Sequence, residues 1–139
     1  MTTPDIQEKL QRALEHHRAG HFAEAASLYQ AILAKNPRHA DALHLLGVIL
    51  HQNQKYETAQ NLIETAIRHD PNRAEFHSNL GLALRAQGQL ERAEAAFRQA
   101  IELDPGFVDG LINLGALQLD RGDASAAQTH LERAVELAP

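Results

Sequence analysis

Nine histidines are the residues of this 139-residue chain with the widest chemical reach. His44 and His51 are seven apart, which is two turns along one face of a helix. His17 stands at the same register as His51, one period of the chain earlier. Three imidazoles brought together are suitable ligands for zinc or nickel. No Cys or fixed carboxylate completes such a set, so polar surface or groove residues are the plainer reading, with titration near neutrality as their chemical consequence. His16, His21, His39, His69 and His130 read as solvated positions. The sequence contains no GxSxG elbow, no Walker GxxxxGK[ST], no GxGxxG and no HExxH. Ser27, Ser78 and Ser125 fall in helical stretches without a triad context, and the carboxylates are spread along helix surfaces. The expectation is a chain with no catalytic residue, no metal and no cofactor.

Composition narrows the classes further. Lys plus Arg number 13 against 18 Asp plus Glu, a formal charge of −5, and no Lys or Arg run is present. That balance gives no reason to expect nucleic acid as a partner. Cysteine is absent, which removes disulfides, thiolate nucleophiles and Cys-ligated metal together. The first twenty residues lack the apolar core of a signal peptide, and no later stretch has the roughly 18 uninterrupted apolar residues of a membrane helix. The expected location is the cytoplasm, without membrane insertion. Apolar residues make up 44% of the chain, much of it Ala, which suits helices packed closely on one another.

The elements that hold these residues are set by an internal repeat. Pro37, Pro71, Pro105 and Pro139 recur every 34 residues. Gly47, Gly81 and Gly115 keep the same period, with Ala13 at that register in the first copy. So do Ala25, Ala59, Ala93 and Ala127, and the larger Tyr29, Ile63, Phe97 and Leu131. The chain divides as one array into copies 6–39, 40–73, 74–107 and 108–139.

Each copy reads as two helices. Leu43, Leu46 and Leu50 form a helical stripe, and Ala59, Ile63, Ala66 and Ile67 form another after a break at Asn53-Gln54. Gly20, Gly88 and Gly122 stand at the corresponding breaks, where left-handed backbone ends a helix. The prolines separate one pair from the next. Glycine in mid-helix costs about 1 kcal/mol relative to Ala. Repeating it at one register predicts a close helix crossing, with the Ala column opposite and the large column filling the wedge. Pairs of this kind cannot bury their faces alone and must stack.

The residues Leu43, Leu46-Gly47, Leu50, Tyr56, Ala59, Ile63, Ala66 and Pro71 closely resemble the tetratricopeptide repeat pattern. So do Leu80-Gly81, Leu84, Ala93, Phe97, Ala100 and Pro105, and Leu111, Leu114-Gly115, Ala127, Leu131, Ala134 and Pro139. The resemblance covers nearly the whole chain. It implies an all-α, right-handed superhelical solenoid of about eight helices, with first helices lining a concave groove and second helices forming the back. The first copy departs from the pattern. Lys9, Arg12 and His16 replace Leu43, Leu46 and Leu50, as suits a solvated cap. Leu131 and Val135 have no following helix to cover them, which marks either a piece of a longer protein or an end that meets a partner.

Carrying the family register over gives the groove positions. They are Leu10, Leu14, His17 and Arg18; then Asp41, His44, Val48, His51 and Gln52; then Glu75, Ser78, Asn79, Leu82 and Arg85; then Asp109, Ile112, Asn113 and Asp120. These positions vary between copies, unlike the packing columns, as expected of a surface that fits a partner. Their mixture of amide, apolar and charged groups suits an extended peptide or a protein helix. Asn79 and Asn113 share a register and resemble two rungs of the asparagine ladder with which O-linked N-acetylglucosamine transferases grip a peptide backbone, although Leu45 and Gln11 stand there in the earlier copies and Asn is also an ordinary consensus residue. Asp41, Glu75 and Asp109 begin their helices, where carboxylates complement the dipole. They argue against a clamp for a C-terminal carboxylate and favour neutral or basic segments.

Three functional expectations follow. The first is a non-catalytic protein–protein interaction module that binds a protein or peptide ligand in its groove. The second is the substrate-recruiting part of a larger glycosyltransferase or sulfotransferase, since residues 23–52 resemble the N-terminal arrays fused to such bacterial enzymes. The third is a scaffold that self-associates through its C-terminal helix.

Overall fold

The glycines and prolines do mark the breaks. In the computed structural model, which describes residues 4–139, Gly20, Gly88 and Gly122 have φ of +81°, +77° and +82°, and Gln54 takes the same turn at +63°. Each of these turns closes with the same backbone bond. His21 N–H donates to the His16 carbonyl at 2.8 Å, Lys55 N–H to Leu50 at 2.9 Å, Gln89 N–H to Leu84 at 3.0 Å and Asp123 N–H to Gln118 at 2.8 Å. This is the six-residue closure that satisfies the last carbonyls of a helix. Pro37, Pro71 and Pro105 all lie between helices.

Eight α-helices and no strand are present among the described residues, so the chain has the all-α helical-repeat fold. They fall into two compact units, one ending at Pro71 and the other beginning at Asn72. The first unit holds α1 (Pro4–Arg18), α2 (Phe22–Lys35), α3 (Ala40–Gln52) and α4 (Tyr56–His69). The second holds α5 (Ala74–Ala86), α6 (Leu90–Leu103), α7 (Val108–Asp120) and α8 (Ala124–Leu137). Within each unit, consecutive helices pack as hairpins, and the second helix of one hairpin packs on the first helix of the next. Among the described residues no helix is long and apolar enough to cross a membrane.

Packing follows the small and large columns. Ala25, Ala59, Ala93 and Ala127 are fully buried, as are Tyr29, Ile63 and Phe97. The first unit's core joins Ala13, Tyr29 and Ile32 to Leu46 and Ile49 of α3. The second unit's core joins Ala93 and Phe97 to Leu114 and Leu117 of α7. The ends of the helices differ more than the sequence predicts. His39 is not merely solvated: its Nδ1 accepts the Ala42 N–H at 3.1 Å and caps α3. Asp123 caps α8 in the same way, accepting the Ala126 N–H at 3.2 Å.

The glycine column is a steric requirement. A Cβ placed on Gly115 would lie 2.6 Å from Leu131 Cγ, and one on Gly47 would lie 2.8 Å from Ile63 Cγ1. On Gly81 it would run into the ring of Phe97. Gly81→Ala therefore gains ~1 kcal/mol of helix propensity and loses about 1–3 kcal/mol to overpacking. We expect a lower urea midpoint for Gly81→Ala. Combined with Phe97→Leu, it should cost less than the two single changes added together. Strict additivity would sink the steric account.

Candidate functional site

On α5, Glu75, Ser78, Asn79 and Leu82 sit at i, i+3, i+4 and i+7, so they share one face. On α7, Asp109, Ile112 and Asn113 repeat the first three of those positions. The two faces meet around a pocket of about 320 Å³, lined by these seven residues and Phe107. Ser78 is buried, and its hydroxyl accepts a hydrogen bond from Asn113 Nδ2 at 3.0 Å. Ile112 is 45% exposed at the mouth.

The two carboxylates differ. Glu75 receives the Arg73 guanidinium through Nη2 at 2.7 Å and Nε at 3.0 Å, while that guanidinium also lies 4.8 Å over the Phe76 ring. Asp109 is exposed and has no ion-pair partner among the described residues. The pocket thus offers one uncompensated negative charge, two amides and an apolar wall of Leu82, Phe107 and Ile112. Arg85 is ion-paired with Asp120 rather than part of this pocket. Phe107 was not among the positions expected from sequence. It is the N-cap of α7, outside the helical faces, and its signal is a large apolar residue just ahead of a first helix.

In the first unit the expected positions are more dispersed. Leu10 lies with Gln7, Glu8 and Gln11 in a shallow hollow on α1 and also packs on the core. Leu14, Asp41 and Val48 are half-buried, while Arg18 and Gln52 are exposed. His44 is buried and offers little surface. His17 and His51 each turn onto an aromatic ring of their own hairpin. His17 meets Phe22 edge-on at 5.5 Å between centroids, and its Nδ1 lies 3.1 Å from the Tyr29 hydroxyl. His51 lies 5.1 Å from the Tyr56 ring, with its buried Nδ1 unpartnered. Burial pushes the Tyr29 hydroxyl up to about 12, against a smaller lowering by Arg18. His130 is also not simply solvated: its Nδ1 donates to Oε1 of the buried Gln118 at 2.8 Å. Among the described residues no group of three or more His, Asp or Glu is placed to hold a metal ion.

Three tetratricopeptide repeat models match the chain, over residues 16–81, 74–107 and 96–129. No curated protein matches the sequence. Among solved structures, the chain is similar to MamA 41-end of Desulfovibrio magneticus RS-1, with 25% identity over 95% of this chain and 75% of that one and a TM-score of 0.84. It is similar to a mutant of the O-GlcNAc transferase of Thermobaculum terrenum, with 30% identity over 96% of this chain and a TM-score of 0.86, but it spans 27% of that chain. A thermophilic TPR protein of Thermus thermophilus shares the fold, at 20% identity over 96% of this chain and 74% of that one and a TM-score of 0.85.

His17 and His51 lie partly buried against aromatic rings, so acid is expected to destabilise the fold. Burial holds the His17 and His51 imidazoles below their ordinary value of 6.5. The unfolded chain then binds protons first as the pH falls. The stability these groups contribute is fully present above about pH 6.5 and declines below it. We expect a lower urea midpoint at about pH 5 than at about pH 7.5, and a smaller drop in the His17→Gln/His51→Gln double variant. An undiminished drop in that variant would place its origin in other groups.

Proposed function

Because the chain belongs to the tetratricopeptide repeat family, we propose that it is a protein-interaction module and that the α5–α7 pocket is where it grips its partner. The carrying observation is the set of groups around that pocket: Asn79 and Asn113 in one register, Asp109 uncompensated, and Ile112 exposed beside Leu82 and Phe107. Amides both donate and accept, so the two asparagines match the backbone of an extended segment. Asp109 selects a Lys or Arg in that segment, whose aliphatic stem lies along Ile112. The expected positions of the first unit, among them Leu10, Leu14, Asp41, Val48 and Gln52, belong to the same kind of surface on that unit.

Fluorescence anisotropy with an array of labelled peptides tests this reading. Peptides with a basic residue should bind better than charge-neutral copies. Asp109→Asn should narrow that preference by about 2–5-fold, the size of an exposed ion pair. Asn79→Ala with Asn113→Ala should weaken binding about tenfold or more, at roughly 1 kcal/mol for each hydrogen bond lost. Unchanged affinity in the double variant would remove the pocket from the binding site.

The likeness to the O-GlcNAc transferase, at 30% identity, favours a second reading. In it the chain recruits protein substrates for glycosyl transfer catalysed by residues outside this sequence. The gene downstream of the Pro139 codon tests it. An in-frame glycosyltransferase domain is the expected finding, and a stop codon there would end this reading.

A further inference from the structure

His16 and His21 flank the turn that joins α1 to α2. By sequence both read as solvated, yet the turn brings their rings together. Nδ1 of one lies 3.3 Å from Nδ1 of the other, with ring centroids 5.6 Å apart. The backbone fixes this approach. His21 N–H donates to the His16 carbonyl at 2.8 Å, Gly20 N–H donates to the His17 carbonyl at 3.1 Å, and Gly20 takes the left-handed conformation between them at φ +81°. His16 and His21 are thus the two positions whose side chains meet across a helix-ending turn of this kind.

No other copy puts two imidazoles there. The register of His16 holds Leu50, Leu84 and Gln118, and that of His21 holds Lys55, Gln89 and Asp123. Those three turns close with the same backbone bond, so the closure does not demand the pair. Leu50 packs on the first unit's core and Leu84 is buried, whereas His16 is half-buried and His21 exposed. Apart from each other, the two imidazoles have no hydrogen-bond or ion-pair partner among the described residues. His17, next in sequence, is engaged with the Phe22 ring and the Tyr29 hydroxyl.

Two neutral imidazoles in this contact share one proton: one Nδ1–H donates and the other Nδ1 accepts. The same two nitrogens suit a metal ion. With metal–nitrogen bonds of about 2.05 Å, a separation of 3.3 Å subtends about 107° at the ion, near the tetrahedral angle of zinc. A cis pair in a square-planar or octahedral site needs about 2.9 Å. On metal entry the shared proton passes to Nε2 of the donor ring. Both Nδ1 atoms then present lone pairs, and no net proton is released.

We propose that His16 and His21 form a two-imidazole site for a zinc ion, with water completing its coordination. Among the described residues no third His, Asp or Glu joins them, so the site keeps open positions. The ion clips the end of α1 to the start of α2. It binds the folded hairpin better than the unfolded chain, because the turn preorganises both ligands. This site lies in the first unit and does not depend on the α5–α7 pocket.

The test adds zinc chloride alone to the full chain, free of any histidine tag, and follows the ring nitrogens by nitrogen-15 NMR. We expect saturation at one zinc per chain, with the Nδ1 signals of His16 and His21 moving together while each Nε2 keeps a proton. At free zinc roughly a hundredfold above Kd, the Tm should rise by about 5–10 °C. His16→Leu and His21→Gln each introduce a residue that another copy carries at that register, so the fold should persist by circular dichroism. Each should weaken zinc binding about tenfold or more. The His17→Gln/His51→Gln variant should bind zinc unchanged. Absence of saturable binding, coordination through Nε2, or full affinity in either His16→Leu or His21→Gln would overturn the proposal. So would loss of binding in the His17→Gln/His51→Gln variant, which places the ion at other imidazoles.

Discussion

One contact governs each later hairpin: a glycine in the first helix accepts a large apolar side chain of the second. Gly47 takes Ile63, Gly81 takes Phe97 and Gly115 takes Leu131. The contact is between a side chain and a backbone that carries no Cβ, so the two helices approach more closely than a pair of ordinary side chains permits. The energy arises from burying an Ile, Phe or Leu, each worth roughly 1.5–3 kcal/mol on transfer from water. It offsets the ~1 kcal/mol that glycine costs a helix interior. Because the large residue comes from the second helix and the gap from the first, the hairpin closes in one register.

That division leaves other registers of the first helices free of this contact. The register of His17, His51, Arg85 and Leu119 shows the result. The two histidines pack against aromatic rings, Arg85 pairs with Asp120, and Leu119 remains half exposed. Four side chains of different size, charge and polarity occupy one backbone position, and the turn that follows keeps its left-handed residue in all four copies. A scaffold tolerant at such positions is free to vary them against a partner.

The repeat was legible because steric demands recur: a glycine every 34 residues has a volume reason wherever it appears. The family register assigns Glu75, Ser78 and Asn79 and their counterparts Asp109, Ile112 and Asn113 to the first helices' groove face, but not the pocket they line together. Register arithmetic assigns a residue to a face but not to a depth. Ser78 and His44 share a register with Ile112, yet the first two are buried and the third is open. Phe107 and His39 escaped because they cap helices from outside, where helical spacing has no say. Gln118 and His130 escaped because their hydrogen bond joins two helices across twelve residues of sequence, a pairing with no periodic signature. Ala124 stands where the earlier second helices begin with Phe22, Tyr56 and Leu90, a difference that is visible in the sequence alone.

The second unit therefore carries two surfaces of opposite physical character. The α5–α7 pocket is lined by polar groups, and in the proposed reading its amides and Asp109 would exchange bonds with water for bonds with a ligand, a trade that nets little energy but penalises a mismatched partner. The exposed side of α7 and α8 is apolar instead, with Leu119 and Val135 open to solvent. The difference between the two surfaces follows from one rule: the core columns repeat, and the residues they leave free do not.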